Sequence, residues 1–302
     1  MVKTYRLYQI DAFTRQKLAG NPAGVVTNAD GLSERQMQQI AREMNNSETA
    51  FILSPGDDTH DVHVRFFTPT REVPICGHAT IAAHYARAVE NDLGCVRVIQ
   101  KTGAGILPVD IVRTGDDYEI VMTQGRIVFG DILTGKTLET LADALGITQR
   151  DLREDCPVAI VSTGHSKVMV GIKEESLLHR LHPHMDKLAK LSGEIGCNGY
   201  YVFTMHASED PMVHGRMFAP AIGINEDPVT GNANGPLGTY LVRYGLATYS
   251  DDEFSFAAVQ GEAIGRAGIM RVHVKIENDQ PVEIKIAGNA VIAFKTELVL
   301  DS

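Results

Sequence analysis

Apolar and polar side chains alternate along residues 1–13, with Tyr5 and Leu7 set against Arg6 and Tyr8, which predicts an opening strand. Ser33 and Gln36 then bracket a capping box, and Met37, Ile40, Ala41 and Met44 follow at i, i+3, i+4 and i+7. That spacing predicts an amphipathic helix over residues 34–44, ended by the turn Asn45-Asn46-Ser47. Strand patterns cover 49–53 and 62–67, and an Ala-rich helix covers 76–89, its small Ala79, Ala82, Ala83 and Ala86 suited to burial against a sheet. Strands at 95–100, 105–112 and 118–123 complete a first half that ends near residue 122, and 125–135 reads as a crossover linker.

The second half opens with a helix carrying Leu138, Leu141, Ala142 and Leu145, stopped by Gly146. Another helix spans 185–195, and strands are expected at 158–162, 167–171 and 199–204. A further helix carries Leu237, Tyr240, Leu241 and Tyr244 and stops at Gly245, followed by strands at 269–276, 282–287 and 290–298. Many short strands, few helices per half and no regular βαβ alternation favour an α+β class over a doubly wound sheet.

Part of this pattern occurs twice. Arg65-Phe66-Phe67-Thr68-Pro69 and then Cys76-Gly77-His78-Ala79-Thr80 are echoed by Arg216-Met217-Phe218-Ala219-Pro220 and then Thr230-Gly231-Asn232-Ala233-Asn234. Each copy is an apolar strand, a loop, a small-residue turn and a helix, as duplication would produce, and the two turns are expected to face one cleft. Upstream, Glu48 lies 19 residues before Phe67 and Asn198 lies 20 before Phe218. One half therefore has a carboxylate where the other has an amide, which points to one acid/base residue in a pseudo-symmetric site.

Composition narrows the function classes. A chain of 302 residues with 44% hydrophobic content suffices for two ordinary cores, and a formal charge of −10 without a basic stripe gives nucleic acid no electrostatic handle. The opening residues lack an apolar leader core and no run reaches membrane-span length, so a cytoplasmic protein with no membrane partner is expected. Cys76, Cys95, Cys156 and Cys197 are scattered without a CxxC, which suits a reducing compartment and suggests neither a disulfide framework nor a zinc site. His179, His182 and His184 crowd together, but Pro183 breaks their register and a solvated loop is the expected setting, so no metal is assigned.

The chemistry-bearing residues sit in or near the repeated turns. Backbone N–H groups at two helix starts would attract an anion and stabilise a developing enolate, although glycines there could equally serve tight turns and close packing. The stretch 225–234, Asn225-Glu226-Asp227-Pro228-Val229-Thr230-Gly231-Asn232-Ala233-Asn234, reads as a polar loop. In it Asp227 could orient a substrate or assist proton transfer, or simply cap the turn before Pro228. His78 could donate to a substrate oxygen or be a helix-terminal histidine satisfied by backbone. Glu48 stands between Ser47 and the apolar run 49–53, where desolvation would raise a carboxyl pKa toward that of a general base, though a solvated loop carboxylate is the ordinary alternative.

The set Asp11-Ala12-Phe13, Gly20-Asn21-Pro22-Ala23-Gly24, Asn46-Ser47-Glu48-Thr49-Ala50-Phe51, Cys76-Gly77-His78 and Glu226-Asp227-Pro228-Val229-Thr230-Gly231-Asn232 resembles the PhzF-like isomerase family, especially its YddE-type branch. The resemblance runs in order to Gln260-Gly261 and Gly265-Arg266, covering nearly the whole chain. It implies the diaminopimelate-epimerase-like fold: two pseudo-symmetric domains, each a sheet curled around a central helix, with the site between them. The last strand would return to the first domain, giving 1–122 plus 288–302 and 123–287.

The resemblance also implies a cofactor-independent, metal-free isomerase, plausibly a homodimer, acting on a small anionic substrate. Glu48 would move a carbon-bound proton, with His78 and Asp227 completing the catalytic set. Cys76, Gly77, Ala79, Thr230, Gly231, Asn232 and Ala233 would surround the substrate. The phenazine-pathway member carries serine where this chain has Asn232, a change of size and donor pattern, so its substrate is not carried over. Two other functions compete. A two-thiol racemase would use Cys76, but Thr230 occupies the matching place and no second thiol is available. A non-catalytic carboxylate binder could use the same turns without turnover.

Overall fold

A computed structural model describes residues 2–301, and the chain divides into two compact units, Met1–Thr123 with Ala287–Ser302, and Gln124–Ile286. The first unit contains β1 (Val2–Ala12), β2 (Asn21–Val26), α1 (Glu34–Met44), β3 (Thr49–Leu53), β4 (Val62–Phe67), β5 (Glu72–Val73), α2 (Gly77–Asn91), β6 (Val96–Thr102), β7 (Gly105–Thr114) and β8 (Asp117–Thr123). The second contains β9 (Val128–Ile132), α3 (Gly135–Leu145), β10 (Ala159–Ser162), β11 (Lys167–Gly171), α4 (Glu175–Arg180), α5 (Met185–Ile195), β12 (Tyr200–Met205), β13 (Val213–Ala219), β14 (Ile224–Asp227), α6 (Gly231–Arg243), β15 (Glu253–Gln260) and β16 (Gly268–Glu277). The chain closes with β17 (Gln280–Asp301), within which the division falls. Among the described residues, no helix is long and apolar enough to cross a membrane.

Each unit is a sheet wrapped on one buried helix, an α+β arrangement. In the first, α2 packs against β1, β2, β3, β7 and β8, and its alanines lie fully buried. In the second, α6 packs against β10, β11, β15 and β16. The strand pairings repeat: β2 runs parallel to β3, β3 antiparallel to β4, β4 parallel to β6, β6 antiparallel to β7. In the same order β11 is parallel to β12, β12 antiparallel to β13, β13 parallel to β15, and β15 antiparallel to β16. The duplication read from two short motifs therefore extends to the topology of each unit.

Outer helices close the other sheet faces. The apolar stripe Met37, Ile40 and Ala41 of α1 meets Tyr5, Leu7, Val26, Phe51 and Phe67, while Leu141 and Leu145 of α3 and Leu188 and Leu191 of α5 meet Val168, Val170, Tyr200 and Val202. Full burial of such side chains stabilises by about 1.5–3 kcal/mol each. Because α2 covers part of the second face of β1, Tyr8 is buried as well, with its hydroxyl donating to Glu90 at 2.5 Å, while Arg6 on the same face stays exposed. Met1 of the expected strand lies outside the described residues.

Several expectations need correction. Residues 125–135 hold β9, a mostly exposed strand paired antiparallel to β10, whose exposure removed the apolar signal. The polar stretch 225–234 is not one loop: β14 ends at Asp227 after pairing with β13, and α6 begins at Gly231. The two strands expected at 282–287 and 290–298 are one, β17. Gly288 marks no turn there: it is a glycine because a Cβ would lie 2.4 Å from the ring of Phe13. His179 belongs to α4 rather than to a loop, 3.2 Å from Glu175, and His184 is the N-cap of α5. Strands β2 and β15 add to those read from the pattern.

One buried group gives a pH prediction. His84 on α2 is 1% exposed, with Nε2 3.0 Å from Gln100 Oε1 and Nδ1 without a hydrogen-bond partner among the described residues. Burial pushes its imidazole down to about 4. Between the ordinary histidine value and that point the unfolded chain binds a proton that the folded chain refuses, so stability falls as pH falls, by up to about 3 kcal/mol. In urea titrations at pH 7 and pH 4.5, His84→Leu is expected to lose less stability on acidification than the parent protein. Equal losses would assign the acid sensitivity elsewhere.

Candidate active site

The first unit brings its candidate residues together from a turn and a helix start. Asn45 ends α1 in the left-handed conformation at φ 53°, and Asn46 exchanges two amide hydrogen bonds with Gln9 of β1, at 2.9 and 2.8 Å. The carbonyl of Glu48 accepts from Gly24 N at 3.2 Å, where the β2–β3 ladder begins. These bonds hold the Glu48 side chain at the head of β3, 18% exposed.

Across from it, Cys76 is the extended N-cap of α2, and Gly77 and His78 form its first turn. His78 Nε2 lies 3.4 Å from Glu48 Oε2, an electrostatic contact longer than a good hydrogen bond, and 3.3 Å from Ser47 Oγ. Cys76 Sγ lies 3.4 Å from His78 Nδ1. The structure thus brings together Glu48, Cys76, Gly77, His78 and Ala79, and adds Ser47, whose hydroxyl the sequence marked only as a neighbour.

Helix geometry leaves the first-turn N–H groups of α2 without intrahelical partners, and the Cys76 side chain does not cap them. Thr80 Oγ1 turns back to Cys76 O at 2.7 Å. The N–H groups of Gly77, His78 and Ala79 with the positive end of the helix dipole therefore form a donor set for an anion beside the Glu48 carboxylate.

In the second unit the equivalent turn is built on a hydrogen-bond network. Thr230 is the extended N-cap of α6, and its hydroxyl donates to Asp227 Oδ2 instead of capping the helix. Gln260 Nε2 donates to Asp227 O at 2.7 Å and to Thr230 Oγ1 at 3.0 Å. Asn234 Nδ2 donates to Thr230 O at 3.1 Å and to Gln260 Oε1 at 3.0 Å, and Tyr201, fully buried, donates to Asn234 Oδ1 at 2.5 Å. Burial pushes the Tyr201 phenol well up. The turn is thus rigid, with Asp227 held through both its carboxylate and its carbonyl.

Pro236 cannot donate to Asn232 O, and Asn232 leaves helical geometry at φ −85°, ψ 24°, so α6 starts with a kink just after Gly231. Asp227, Thr230, Gly231, Asn232 and Ala233 share this turn. Strand register corrects the expected counterpart of Glu48: it is Gly199, whose carbonyl accepts from Val168 N as that of Glu48 accepts from Gly24 N, and Asn198 is the exposed residue before it. Lys167 at the start of β11 is a buried cation the sequence reading missed. Burial pushes its amine down, while Cys197 and the Asp227 carboxylate act in the opposite direction.

The two turn glycines differ. A Cβ on Gly231 would lie 2.4 Å from Ile286 Cδ1, so alanine there forces that buried side chain to move. A Cβ on Gly77 would meet only Met122 Sδ, at 3.9 Å, and nothing in the packing demands it. Gly231→Ala is expected to destabilise by about 1–3 kcal/mol through overpacking. Gly77→Ala should shift the unfolding midpoint little and act on ligand binding instead. Chemical denaturation of both variants checks this, and equal destabilisation would show that both glycines serve packing.

Among known proteins, residues 10–296 match the family described as PhzC-PhzF, phenazine biosynthesis-like protein. An uncharacterized isomerase of Clostridium acetobutylicum is 62% identical over 302 residues, with 100% of both chains covered. The uncharacterized isomerase YddE of Escherichia coli K12 is 46% identical over 98% of this chain and 99% of its own. The trans-2,3-dihydro-3-hydroxyanthranilate isomerase of Pseudomonas chlororaphis is 33% identical over 96% and 98%. A solved PhzF-family phenazine biosynthesis protein from Bacillus anthracis superposes with a TM-score of 0.88 at 33% identity, covering 99% of this chain and 100% of that one. A hydroxyproline epimerase from Agrobacterium vitis, at 12% identity, shares the fold alone, with a TM-score of 0.64 over 99% of this chain and 92% of its own. The fold is diaminopimelate-epimerase-like, as the resemblance implied.

Proposed function

The chain belongs to the PhzC-PhzF, phenazine biosynthesis-like family of isomerases, and from that premise we propose that it moves a carbon-bound proton within a small carboxylate substrate, using Glu48 as the single acid/base. The observation that carries this reading is the Glu48 carboxylate held 3.4 Å from His78 at the open N-terminus of α2, while the equivalent positions of the second unit hold Gly199 and Asn232, neither of which can ionise.

Glu48 takes a proton from carbon, and the electron pair left behind is delocalised as an enolate-like charge. The uncapped N–H groups of Gly77, His78 and Ala79 stabilise that charge as it forms, as preorganised donors do. Protonated Glu48 then returns the proton to a different carbon, so the reaction is redox-neutral and consumes nothing. His78 and Ser47 orient the carboxylate, and in the second unit the turn of Asp227, Thr230, Gly231, Asn232 and Ala233 is suited to the polar groups of a carboxylate. Cys76 lines the site, and Thr230 fills the matching N-cap, which disfavours a two-thiol racemase. The trans-2,3-dihydro-3-hydroxyanthranilate of the Pseudomonas relatives is one compound to assay beside other cyclic and amino carboxylates. Asn232 argues against assuming it.

A single shielded base predicts proton retention. In deuterium oxide under single-turnover conditions, part of the protium removed from substrate should reappear at the accepting carbon of product. Complete washout would sink the shuttle, and absence of any carbon–proton exchange across the carboxylate panel would favour a binder without turnover. His78→Ala and Asp227→Asn should each lower turnover while the unfolding midpoint stays near that of the parent. A collapse in stability would mean these side chains serve the fold.

A further inference from the structure

One carboxylate oxygen of Glu48, the sulfur of Cys76 and one ring nitrogen of His78 lie within 4.8 Å of one another, and among the described residues no other trio of His, Cys, Asp and Glu side chains is so close. The separations are 3.4 Å from His78 Nε2 to Glu48 Oε2, and 3.4 and 3.9 Å from Cys76 Sγ to the two ring nitrogens of His78. A tetrahedral zinc ion, with bonds of about 2.0–2.3 Å, has ligand-to-ligand edges of about 3.3–3.6 Å. The carboxylate–imidazole edge already has that length; the sulfur, now nearer Nδ1 than Nε2, must swing about the Cys76 Cα–Cβ bond to complete the set with Nε2.

Both supports are rigid: Glu48 is fixed by the Gly24 hydrogen bond and the turn pinned to Gln9, and Cys76 and His78 by the first turn of a buried helix. We propose that this trio is a binding site for one thiophilic divalent cation of the zinc class, and that the bound ion inhibits proton transfer. Its fourth coordination position faces solvent or a substrate carboxylate.

Thiolate and imidazole select zinc-like ions, whereas magnesium and calcium require oxygen ligands. Binding forms metal–sulfur, metal–nitrogen and metal–oxygen bonds and releases the thiol proton to solvent, so affinity falls as pH falls. The ion occupies the Glu48 oxygen that would carry the substrate proton, and in that respect the inhibition rests on the proposed function. Metal binding itself does not. The equivalent positions of the second unit, Gly199, Thr230 and Asn232, offer no comparable ligand set.

Cobalt(II) is the probe. One equivalent should bind to the intact protein with sulfur-to-cobalt charge-transfer absorption and tetrahedral d–d bands, and zinc should displace it. Cys76→Ser should abolish the charge-transfer band, while Cys95→Ala, which removes the exposed thiol, should leave it. His78→Ala and Glu48→Gln should each weaken cobalt binding by more than the roughly 10–100-fold that follows loss of an outer partner of a metal ligand.

A second measurement needs no variant. Zinc, and not magnesium, should protect one cysteine of the native protein from alkylation, and peptide mapping should identify it as Cys76. A band that survives Cys76→Ser, or no band and no protection in the parent, overturns the site. Stoichiometric zinc binding with undiminished isomerisation overturns the inhibition. Because these readouts are spectroscopic and chemical, they stand apart from whether Glu48→Gln retains turnover, so either proposal can fail while the other holds.

Discussion

Glu48→Gln is expected to lower turnover by about 10²–10⁴-fold, the range a positioned general base contributes, while ligand affinity changes much less. The amide keeps the size of the side chain and can still accept a hydrogen bond, so the contact 3.4 Å from His78 Nε2 and the β2–β3 ladder should persist. What disappears is the proton acceptor. Partial exposure makes the substitution benign for folding, since no fully buried charge is left unpaired. Cys76→Ala supplies the comparison: if the thiol only lines the site, its loss should cost far less turnover than loss of the carboxylate. A Glu48→Gln protein that isomerises an authentic substrate at near the parent rate would remove Glu48 from the mechanism and turn attention to Asp227. A Cys76→Ala loss as large as that of Glu48→Gln would revive thiol chemistry.

Local rules made much of the fold legible. The capping box at Ser33 and Gln36 and the apolar spacing after it gave the bounds of α1, because a helix start and an amphipathic stripe are written in adjacent residues. The duplicated turns that open at Cys76-Gly77 and Thr230-Gly231 both prove to be the entry to a buried helix. Where burial was low, the signal failed: β9 is exposed and β14 polar, so neither shows a strand's alternation, and their neighbours hold them instead. The expected break between 287 and 290 is absent for another reason: Gly288 lies within a continuous strand, where the Phe13 ring leaves no room for a Cβ.

The site was legible only in part. Glu48 and His78 are far apart in sequence, and nothing in spacing says their side chains meet; the duplicated turns and the family resemblance supplied that. Ser47, Gln260 and Lys167 act through tertiary contacts that have no local signature.

The duplication also reaches the ion pairs, and there it sets up the largest stability effect. Arg65 lies over the Phe67 ring at 5.1 Å and pairs with Glu72 through two hydrogen bonds of 2.7 Å; Arg216 lies over Phe218 at 5.0 Å and pairs with Glu226 at 2.9 and 2.7 Å. Geometry is nearly the same, but burial is not: the side chains of Arg65 and Glu72 are 21% and 37% exposed, those of Arg216 and Glu226 9% and 10%. Arg216 also donates from Nη1 to the carbonyls of Leu178 and Leu181, both at 2.9 Å, so it ties β13 to α4 as well as to β14, the strand that presents Asp227. Glu226→Leu strands a guanidinium away from water and should destabilise by about 3–5 kcal/mol, whereas Glu72→Leu leaves Arg65 with Glu34 Oε2 at 2.9 Å and with water, and should cost about 1 kcal/mol or less. Because the penalty comes from the orphaned charge, adding Arg216→Met to Glu226→Leu should recover part of the loss, even though it removes another hydrogen-bonding group. Denaturation midpoints of the two single variants and the double variant provide the comparison. Equal costs at Glu72 and Glu226, or a double variant less stable than Glu226→Leu alone, would show that burial of the pair is not what sets its energetic weight.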